Sequence, residues 1–339
     1  MKRVLLIGGG GTLGGYTATE LLKLGYDVDV VALESFTSCN RHLRHVCGKA
    51  DDGLLAKLFA EGRYAAIVDF LHYVDTEAYK SRAKLLLANT DQLVFLSSYR
   101  VYARSEEPIT EDSPQLADTV TDPEFLEKET YAVPKSKNEK FLRSLSERNW
   151  TIVRPLISSS VLRLDLVTLC GHEVVLQARE GRPVLLPRSA KDLPAGVGWA
   201  GNIGRMIARL IGREAALGEA FTLGTSERFT WGEVADIYSD LLGLGVVWTD
   251  DDEEYLANAT GNSYMERCML YYDRLLGKRI DNSKMLRVTG LRENDFTCFR
   301  EALIGLFDEL ARHPELVTAK DTPQVRAVLA RMNAVTGGR

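Results

Sequence analysis

The stretch VLLI at residues 4–7 runs directly into GGGGTLG at residues 8–14, and this junction decides the fold. The first segment is a short apolar run typical of a buried strand, and glycines occupy the first, fourth and seventh positions of the second. A helical apolar pattern covers residues 13–24, and Gly25 stands where a glycine ends a helix. A second strand pattern covers residues 28–33. This order predicts one unit of a parallel α/β sheet.

The glycine spacing predicts a loop that binds a dinucleotide. A pyrophosphate reaches the N–H groups at a helix N-terminus only where no Cβ stands in the way. Gly8 and Gly11 open that approach, and Gly14 is expected to let the helix pack on the first strand. Thr12 and Leu13 would contact the cofactor from the first helical turn. We therefore expect an α/β fold: a Rossmann-type doubly wound parallel sheet with a smaller mixed α/β substrate domain.

Length and composition are those of an ordinary globular enzyme. The chain has 339 residues, of which 45% are hydrophobic and 26% charged. Residues 1–160 are expected to form the dinucleotide-binding domain, to which a segment at about 195–230 returns. Residues 161–339 are expected to form mainly the substrate-binding domain and the C-terminal helices. The net charge of −5 argues against a nucleic-acid partner.

The cysteines and histidines predict neither disulfides nor metal. The five cysteines are scattered and form no C-x-x-C pair, and the five histidines lack metal-ligand spacing. The sequence also lacks an apolar run of ~18 residues and a signal-peptide pattern. We therefore expect a cytoplasmic protein without a membrane partner.

A second informative region lies in the middle of the chain. The strand pattern LVFL at residues 93–96 runs into SSYRVY at residues 97–102, which places hydroxyl groups at the carboxyl end of a strand, where doubly wound sheets bind ligands. Further along, Tyr131 and Lys135 lie four residues apart and share one helix face. A phenol has a pKa of about 10 and needs a nearby cation to act as a base at neutral pH. These features predict a site that moves a proton while a cofactor moves a hydride.

With these residues the chain resembles the short-chain dehydrogenase/reductase superfamily, in its extended branch of NAD-dependent nucleotide-sugar epimerases and dehydratases. The resemblance rests on the glycines of residues 8–14, Ser-Ser-x-x-Val-Tyr at residues 97–102, Tyr-x-x-x-Lys at residues 131–135 and a strand ending in Arg-Pro at residues 151–155. It implies that Ser98 orients the substrate hydroxyl. It also implies that the tyrosine is the general base and that the lysine lowers its pKa.

The resemblance implies NAD or NADP as the cofactor. The family's acidic residue at the end of the second strand falls on Ala32, while Glu34 follows two positions later, so the choice of cofactor stays open. Arg41 and Arg44 in the next loop are candidates for binding a 2′-phosphate. The other implied contacts are, for the cofactor, Asp69, Tyr131, Lys135 and Pro155 and, for the substrate, Ser98, Tyr99, Arg100, Ser158, Arg163 and Arg188.

The implied activity is that of an NAD(P)-dependent oxidoreductase or isomerase. It would oxidise a secondary alcohol of a nucleotide sugar to a transient ketone and return the hydride to the other face. Dehydratases of this family commonly carry Asp-Glu beside the active serine, where this chain has Tyr99 and Arg100, which disfavours dehydration.

Two other functions stay open. An NAD(P)H-dependent reductase or dehydrogenase of a small carbonyl or a free sugar is favoured by VGWAGNI at residues 197–203, which replaces the family's Arg-Asp-x-x-His-Val-x-Asp stretch. A non-catalytic, cofactor-sensing member of the superfamily is disfavoured because Tyr131 and Lys135 are intact.

Four further expectations concern assembly and local structure. The family commonly pairs through two helices, one with Tyr-x-x-x-Lys, so we expect a homodimer, with Phe141 and Leu142 buried in it or in the core. Asp52 is expected to cap a helix. Residues 108–130 are expected to form a solvated insertion, with a lid or a subunit contact as the alternatives. Residues 323–332 are expected to form a charged helix on the surface.

Overall fold

The computed structural model describes residues 2–337. The strands are β1 (Arg3–Ile7), β2 (Asp27–Ala32), β3 (Leu43–Cys47), β4 (Ala66–Asp69), β5 (Leu93–Leu96), β6 (Trp150–Pro155), β7 (Ile157–Ser159), β8 (Val184–Pro187), β9 (Val197–Trp199), β10 (Glu219–Leu223) and β11 (Val246–Thr249). The helices are α1 (Thr12–Lys23), α2 (Asp52–Ala60), α3 (Thr76–Ala88), α4 (Leu116–Thr119), α5 (Pro123–Lys128), α6 (Ala132–Arg143), α7 (Gly171–Arg179), α8 (Ala200–Leu210), α9 (Trp231–Leu242), α10 (Asp252–Ala259), α11 (Tyr264–Tyr271), α12 (Ser283–Thr289), α13 (Phe299–Arg312), α14 (Glu315–Thr318) and α15 (Pro323–Thr336).

Seven strands form one parallel sheet in the order β3-β2-β1-β4-β5-β6-β10. The chain begins in the middle with β1, moves to one edge through β2 and β3, and returns to β4 on the other side of β1. Doubly wound sheets bind ligands at such a reversal, beyond the carboxyl ends of the strands. The predicted Rossmann-type α/β fold is confirmed.

Helices cover both faces of the sheet, so its central strands β1, β4 and β5 are largely apolar. Successive side chains of β1 point to opposite faces. Leu6 belongs to a core formed with Leu21 of α1 and Ile207 of α8. Leu5 belongs to the other core, which includes Leu86 of α3 and Leu142 of α6. The sheet is therefore held on one side by α1 and α8 and on the other by α3 and α6.

The second half of the chain builds a further core and also returns to the sheet. The small parallel pairs β8 with β11 and β7 with β9 lie outside the main sheet. Trp231, Tyr238 and Phe307 are buried in the core that α9 and α13 share with this region. β10 joins the main sheet beside β6, and α8 packs on α1. Both returning elements fall within residues 195–230.

Three expectations about local structure are corrected. Asp51, not Asp52, caps α2, and its side chain accepts a hydrogen bond of 2.9 Å from the N–H of Leu54. Residues 108–130 are not a solvated insertion, because Phe125 is buried in a small core with Val133 and other apolar side chains.

The C-terminal helix is also more deeply packed than expected. α15 is longer than predicted and lies against α7, α10 and β8. Leu329 and Met332 are buried in the same core as Trp231 of α9, so this helix is part of the fold.

The apolar residues of α6 are used within the monomer. Leu142 is fully buried, and the Phe141 ring packs edge-on against Tyr79 of α3 with ring centroids 6.3 Å apart. Lys137 and Lys140 are exposed on the same helix. Both apolar side chains therefore pack in the core, and the homodimer stays a prediction.

Three observations apply to residues 2–337 as a whole. Each of the five cysteines is free. No group of His, Cys, Asp and Glu side chains in this part of the chain is arranged to hold a metal ion. None of its helices combines the length and apolar character needed to cross a membrane.

Candidate active site

The glycine loop connects β1 to α1 at the reversal of strand order. Gly8 has φ +71°, a conformation that glycine adopts without strain. Gly11 is the N-cap of α1, and no described side chain caps this helix. The N–H groups of its first turn, which begins with Thr12 and Leu13, therefore point to an open anion site.

Gly14 fixes the distance between α1 and the loop. A Cβ at Gly14 would lie 2.2 Å from the carbonyl oxygen of Gly9. The absent side chain thus lets the helix begin directly against the loop backbone. This corrects the expectation that Gly14 serves packing on the first strand.

A cleft of about 450 Å³ opens beside the glycine loop. It is bounded by the carboxyl end of β2 and by the segment after β3, and Ala32, Glu34 and Lys49 line it. The Glu34 Oε2 atom lies 3.6 Å from the position that a Cβ of Gly10 would take. A carboxylate at this place can accept the ribose hydroxyls of an adenosine. The cleft and the uncapped helix together fit the adenosine and pyrophosphate parts of a dinucleotide.

The two arginines proposed for a 2′-phosphate are not brought to this cleft. β3 is parallel to β2 and starts at Leu43, so Arg41 lies at the amino-terminal edge of the sheet, opposite the glycine loop. Its Nε donates to Nε2 of His42 at 3.0 Å. Arg44 is held by Asp29 in an ion pair of 2.7 Å.

A second depression, of about 340 Å³, lies between the first turns of α1 and residues 160–162. The hydroxyls of Thr12 and Ser160 are 3.1 Å apart across it. Ser160 belongs to the serine run of residues 158–160, which is a plausible pocket wall by sequence, but only Ser158 was singled out there as a substrate contact. The predicted Ser158 is buried in β7 and donates to the carbonyl oxygen of Leu156 at 3.0 Å.

The start of α6 holds Tyr131 in place. Tyr131 is the N-cap of this helix, and Pro134 lies in the first turn, where a missing N–H costs no helical hydrogen bond. Glu129 Oε2 accepts hydrogen bonds of 2.9 Å from the N–H groups of Tyr131 and Val133. This capping carboxylate was not predicted from the sequence.

Ser98, Tyr131 and Lys135 come together at the carboxyl end of β5. The Lys135 Nζ atom lies 5.5 Å from the Tyr131 ring centroid and donates to the carbonyl oxygen of Leu96. The Ser98 hydroxyl accepts a hydrogen bond of 3.2 Å from the N–H of Arg100. It also forms a side-chain hydrogen bond with Tyr131 that lowers the pKa of the phenol. We call Ser98, Tyr131 and Lys135 the triad.

The surroundings of Tyr131 favour its phenolate form. Burial alone would raise the pKa of Tyr131, but the positive charges of Lys135, Arg100 and Arg163 outweigh burial, and the pKa is lowered. Burial lowers the pKa of Lys135 in turn. A phenol with a lowered pKa is a better base at neutral pH.

Two further side chains touch the Tyr131 ring. The Arg100 guanidinium carbon lies 4.7 Å from the ring centroid, and the His72 ring centroid lies 5.1 Å from it. A hydrogen bond of 2.6 Å joins His72 Nε2 to the carbonyl oxygen of Thr130. Burial lowers the pKa of His72, which keeps this ring neutral at pH 7. No sequence pattern had singled out His72.

Arg100 belongs to a network of ion pairs that we call the charged cluster. Asp273 pairs with Lys278 at 2.9 Å, with Arg100 at 3.4 Å and also with Arg274. The cluster comprises four cations and three carboxylates: Arg100, Arg163, Arg274, Lys278, Asp165, Asp273 and Glu129.

The remaining predicted residues lie in other surroundings. Asp69 ends β4 at the same edge, but its carboxylate is buried and accepts from the N–H of Leu71 and the hydroxyl of Tyr73. Pro155 ends β6 and is buried. Tyr99 is buried, with Lys278 Nζ 4.4 Å from its ring centroid.

Arg188 lies outside the triad. It is half-exposed and pairs with Asp250 at 2.7 Å. Among residues 2–337 we find no contact between its side chain and Ser98, Tyr131 or Lys135.

Comparison with known proteins agrees with this geometry. Residues 4–161 match the family described as "NAD dependent epimerase/dehydratase family", which confirms the resemblance predicted from the sequence. A search of curated proteins found no match.

Solved structures share the fold at low sequence identity. The epimerase Mth375 of Methanothermobacter thermautotrophicus is 17% identical, with a TM-score of 0.67 over 94% of each chain. MoeE5 in complex with UDP-glucose and NAD is 15% identical, with a TM-score of 0.66 over 92% of this chain and 99% of the other. The UDP-glucuronic acid 4-epimerase of Bacillus cereus, in complex with UDP-glucuronic acid and NAD, is 12% identical, with a TM-score of 0.65 over 92% of this chain and 99% of the other.

Proposed function

Because residues 4–161 of this chain belong to the NAD-dependent epimerase/dehydratase family, we propose that the protein is an NAD-dependent epimerase of a nucleotide sugar. The reaction would pass through a transient ketone formed at one secondary alcohol of the sugar ring. The single observation that carries this proposal is the meeting of the triad and the glycine loop at one edge of the sheet.

The strand order explains why these parts meet. β4 lies between β1, which leads into the glycine loop, and β5, which leads into Ser98. The side chain of Lys135 reaches back to the end of β5, so its ammonium lies between Tyr131 and the sheet. A cofactor anchored at the glycine loop can therefore extend past β4 to the triad.

The residues of the triad have separate tasks in this proposal. Tyr131 takes the proton from the substrate hydroxyl and later returns it to the ketone oxygen. Lys135 stabilises the phenolate by its charge. Ser98 holds the substrate oxygen beside Tyr131 through its hydroxyl. Bound NAD would accept the hydride of the reacting carbon and give it back.

The structure supports NAD over NADP for this chain. Glu34 lines the cleft beside the glycine loop, and its negative charge would repel a 2′-phosphate. Arg41 and Arg44, which would have favoured NADP, lie elsewhere. The proposed cofactor is therefore NAD.

The test follows the absorbance at 340 nm of the purified protein with NAD⁺ and a panel of nucleotide sugars, together with chromatographic analysis of the products. We expect a small transient rise in absorbance, no net accumulation of NADH and the appearance of an epimer. Tyr131→Phe should abolish all three signals, while Lys137→Met, on the exposed side of the same helix, should preserve them.

Other outcomes point to other functions. Accumulation of one NADH per substrate molecule would assign the protein as a dehydrogenase of the sugar. Such an enzyme removes the hydride and does not return it. Absence of NAD⁺ binding would contradict both the epimerase and the dehydrogenase function.

A further inference from the structure

The peptide group between Thr130 and Tyr131 lies just outside helix α6. The helix begins at Ala132, and Tyr131 is its N-cap with φ −123° and ψ −68°. In a helix that started earlier, the Thr130 carbonyl would accept a hydrogen bond from the N–H of residue 134. Residue 134 is a proline and has no N–H, so α6 cannot hold this carbonyl. The orientation of the peptide that leads into Tyr131 therefore depends on side chains.

Two side chains hold this peptide, one at each of its polar groups. Glu129 Oε2 accepts a hydrogen bond of 2.9 Å from the Tyr131 N–H, and His72 Nε2 lies 2.6 Å from the Thr130 carbonyl oxygen. A carbonyl oxygen only accepts, so Nε2 carries a proton and donates to it. Among the described residues no other group hydrogen-bonds to this carbonyl. His72 therefore takes the place of the helical donor that the proline lacks.

His72 also touches the ring that follows this peptide. Its ring centroid lies 5.1 Å from that of Tyr131, and the two ring planes are 36° apart. Burial and, to a lesser extent, the positive charges of Lys135 and Arg100 lower the pKa of His72, although the Thr130 carbonyl and the Glu129 carboxylate oppose this. The imidazole is therefore neutral at pH 7. It acts on Tyr131 through a hydrogen bond and a ring contact, not through charge.

The segment that carries His72 is anchored on both sides of this residue. It follows β4, and the Asp69 carboxylate at the end of that strand accepts from the Leu71 N–H at 3.1 Å and from the Tyr73 hydroxyl at 2.8 Å. Leu71 and Tyr73 also line the cleft beside the glycine loop. His72 is thus a fixed point on the sheet from which the start of α6 can be held.

We infer that His72 is a positioning residue for Tyr131, and that its hydrogen bond to the Thr130 carbonyl sets the phenol beside Lys135. The inference rests on the proposed function, in which Tyr131 is the base. The Tyr131 side chain leaves the backbone directly after this peptide, so a rotation of the peptide moves the phenol oxygen relative to the Lys135 ammonium. The stabilisation of the phenolate falls as that distance grows. Loss of the histidine donor should therefore raise the pKa of Tyr131 and slow the reaction.

The experiment replaces His72 by two amides of different length. The amide nitrogen of His72→Gln can lie where Nε2 lies, whereas the amide of His72→Asn is one methylene group shorter and does not reach the Thr130 carbonyl. Tyrosinate absorbance at 295 nm between pH 6 and pH 11 follows the ionisation of Tyr131. The chain has 13 tyrosines, so each titration is repeated with Tyr131→Phe added and the difference is taken. Calorimetry gives the NAD⁺ affinity of the same proteins.

We expect the midpoint of Tyr131 ionisation in the wild type to lie below the ordinary value of about 10. His72→Asn should raise this midpoint by about one pH unit, and His72→Gln should keep it near the wild-type value. In the product assay at pH 7, His72→Asn should slow turnover about 10- to 100-fold and His72→Gln less than about 3-fold. The NAD⁺ affinity should stay near that of the wild type in both variants.

The control is His313→Gln. This half-exposed histidine pairs with Glu315 at 3.1 Å, and its replacement should leave the midpoint unchanged. A His72 that only stabilised the fold would lower the free energy of unfolding in both amide variants without moving the midpoint, and that result overturns the inference. Should His72→Asn fail to fold, His72→Ala replaces it, since alanine also lacks a donor.

Equal midpoints in the two amide variants overturn the inference, whether or not they differ from the wild type. A loss of NAD⁺ affinity with an unchanged midpoint overturns it too, because His72 would then be a cofactor contact. A midpoint raised in His72→Asn alone supports the inference even where no nucleotide sugar is converted. Such an absence of product contradicts only the proposed function, so the two failures are distinguishable.

Discussion

Glu139 and Arg154 form a buried ion pair beneath the triad, with Arg154 Nε 3.0 Å from Glu139 Oε1. Glu139 lies one turn beyond Lys135 on α6, and Arg154 lies in β6. The hydroxyl of Ser97, the neighbour of Ser98, donates to the same carboxylate. The pair therefore ties the helix that carries Lys135 to the strand end that carries Ser98.

Glu139→Gln should lower the free energy of unfolding by about 3–5 kcal/mol. The substitution keeps the shape of the side chain but leaves the Arg154 guanidinium buried without its anion. Urea unfolding measures the loss. Glu124→Gln is the control, since this exposed residue pairs with Lys128 on the surface, where water screens the charges, and its loss should cost far less stability. Equal losses in the two variants would contradict a structural role for the buried pair.

Gly14→Ala should weaken NAD⁺ binding by at least about 10-fold and cost about 1–3 kcal/mol of stability. The added methyl group would overlap the carbonyl oxygen of Gly9, so the loop must move away from the helix. Calorimetric titration with NAD⁺ and urea unfolding measure the two effects.

The matched control for this substitution is Gly15→Ala in the same helix. A Cβ at Gly15 meets no described atom within 4 Å. The alanine should therefore preserve NAD⁺ binding and raise stability by up to about 1 kcal/mol. A loss of binding in both variants would show that helix propensity or exposure, and not loop contact, explains the effect.

The parts of the site that were predicted are those with a local sequence pattern. The spacing of residues 8–14 and the order of strand, loop and helix were enough to predict the sheet. Tyr131 and Lys135 lie four apart on one helix, and Ser98 follows a strand, so a parallel sheet that places strand ends together also gathers these residues. Each prediction needed only neighbours in the sequence.

The parts that were missed depend on partners distant in the sequence. Arg154 was noted only as part of the strand ending in Arg-Pro, and nothing in that pattern showed that Glu139 makes it a buried support. Asp273 lies far along the chain from Arg100, and no pattern connects them. Arg41 was misplaced because a loop between parallel strands runs back to the opposite edge of the sheet, and composition does not show where along that path a residue lies.

Glu34→Gln should weaken NAD⁺ binding about 10-fold and reduce the preference for NAD⁺ over NADP⁺. The variant loses the negative charge that would bind the ribose hydroxyls and repel a 2′-phosphate. Titration with each cofactor gives the ratio. Arg41→Ala should change neither affinity, since its side chain lies at the opposite edge. A changed NADP⁺ affinity in Arg41→Ala would contradict this placement.

Lys135→Met should lower the rate of hydride transfer at pH 7 by about 100- to 1000-fold at saturating NAD⁺. Without the Lys135 ammonium the pKa of Tyr131 rises, so the rising limb of the pH profile moves to higher pH. Single-turnover absorbance at 340 nm between pH 6 and pH 10 measures the rate of hydride transfer as a function of pH. Lys137→Met should keep the wild-type profile. A lower rate with an unshifted profile would assign Lys135 to substrate positioning alone.

Asp69 should make the protein less stable as the pH rises through about 6. Burial raises the pKa of Asp69 to about 6, above the ordinary value of about 3.9 for an unfolded chain. Between these values the folded state binds more protons than the unfolded state, so this contribution to stability is present at low pH and lost as the carboxylate ionises. Asp69→Asn cannot ionise. Relative to this variant, the wild type should therefore lose about 1 kcal/mol between pH 5 and pH 7.5, measured by urea unfolding at each pH. A difference between wild type and Asp69→Asn that stays constant with pH would contradict a raised pKa.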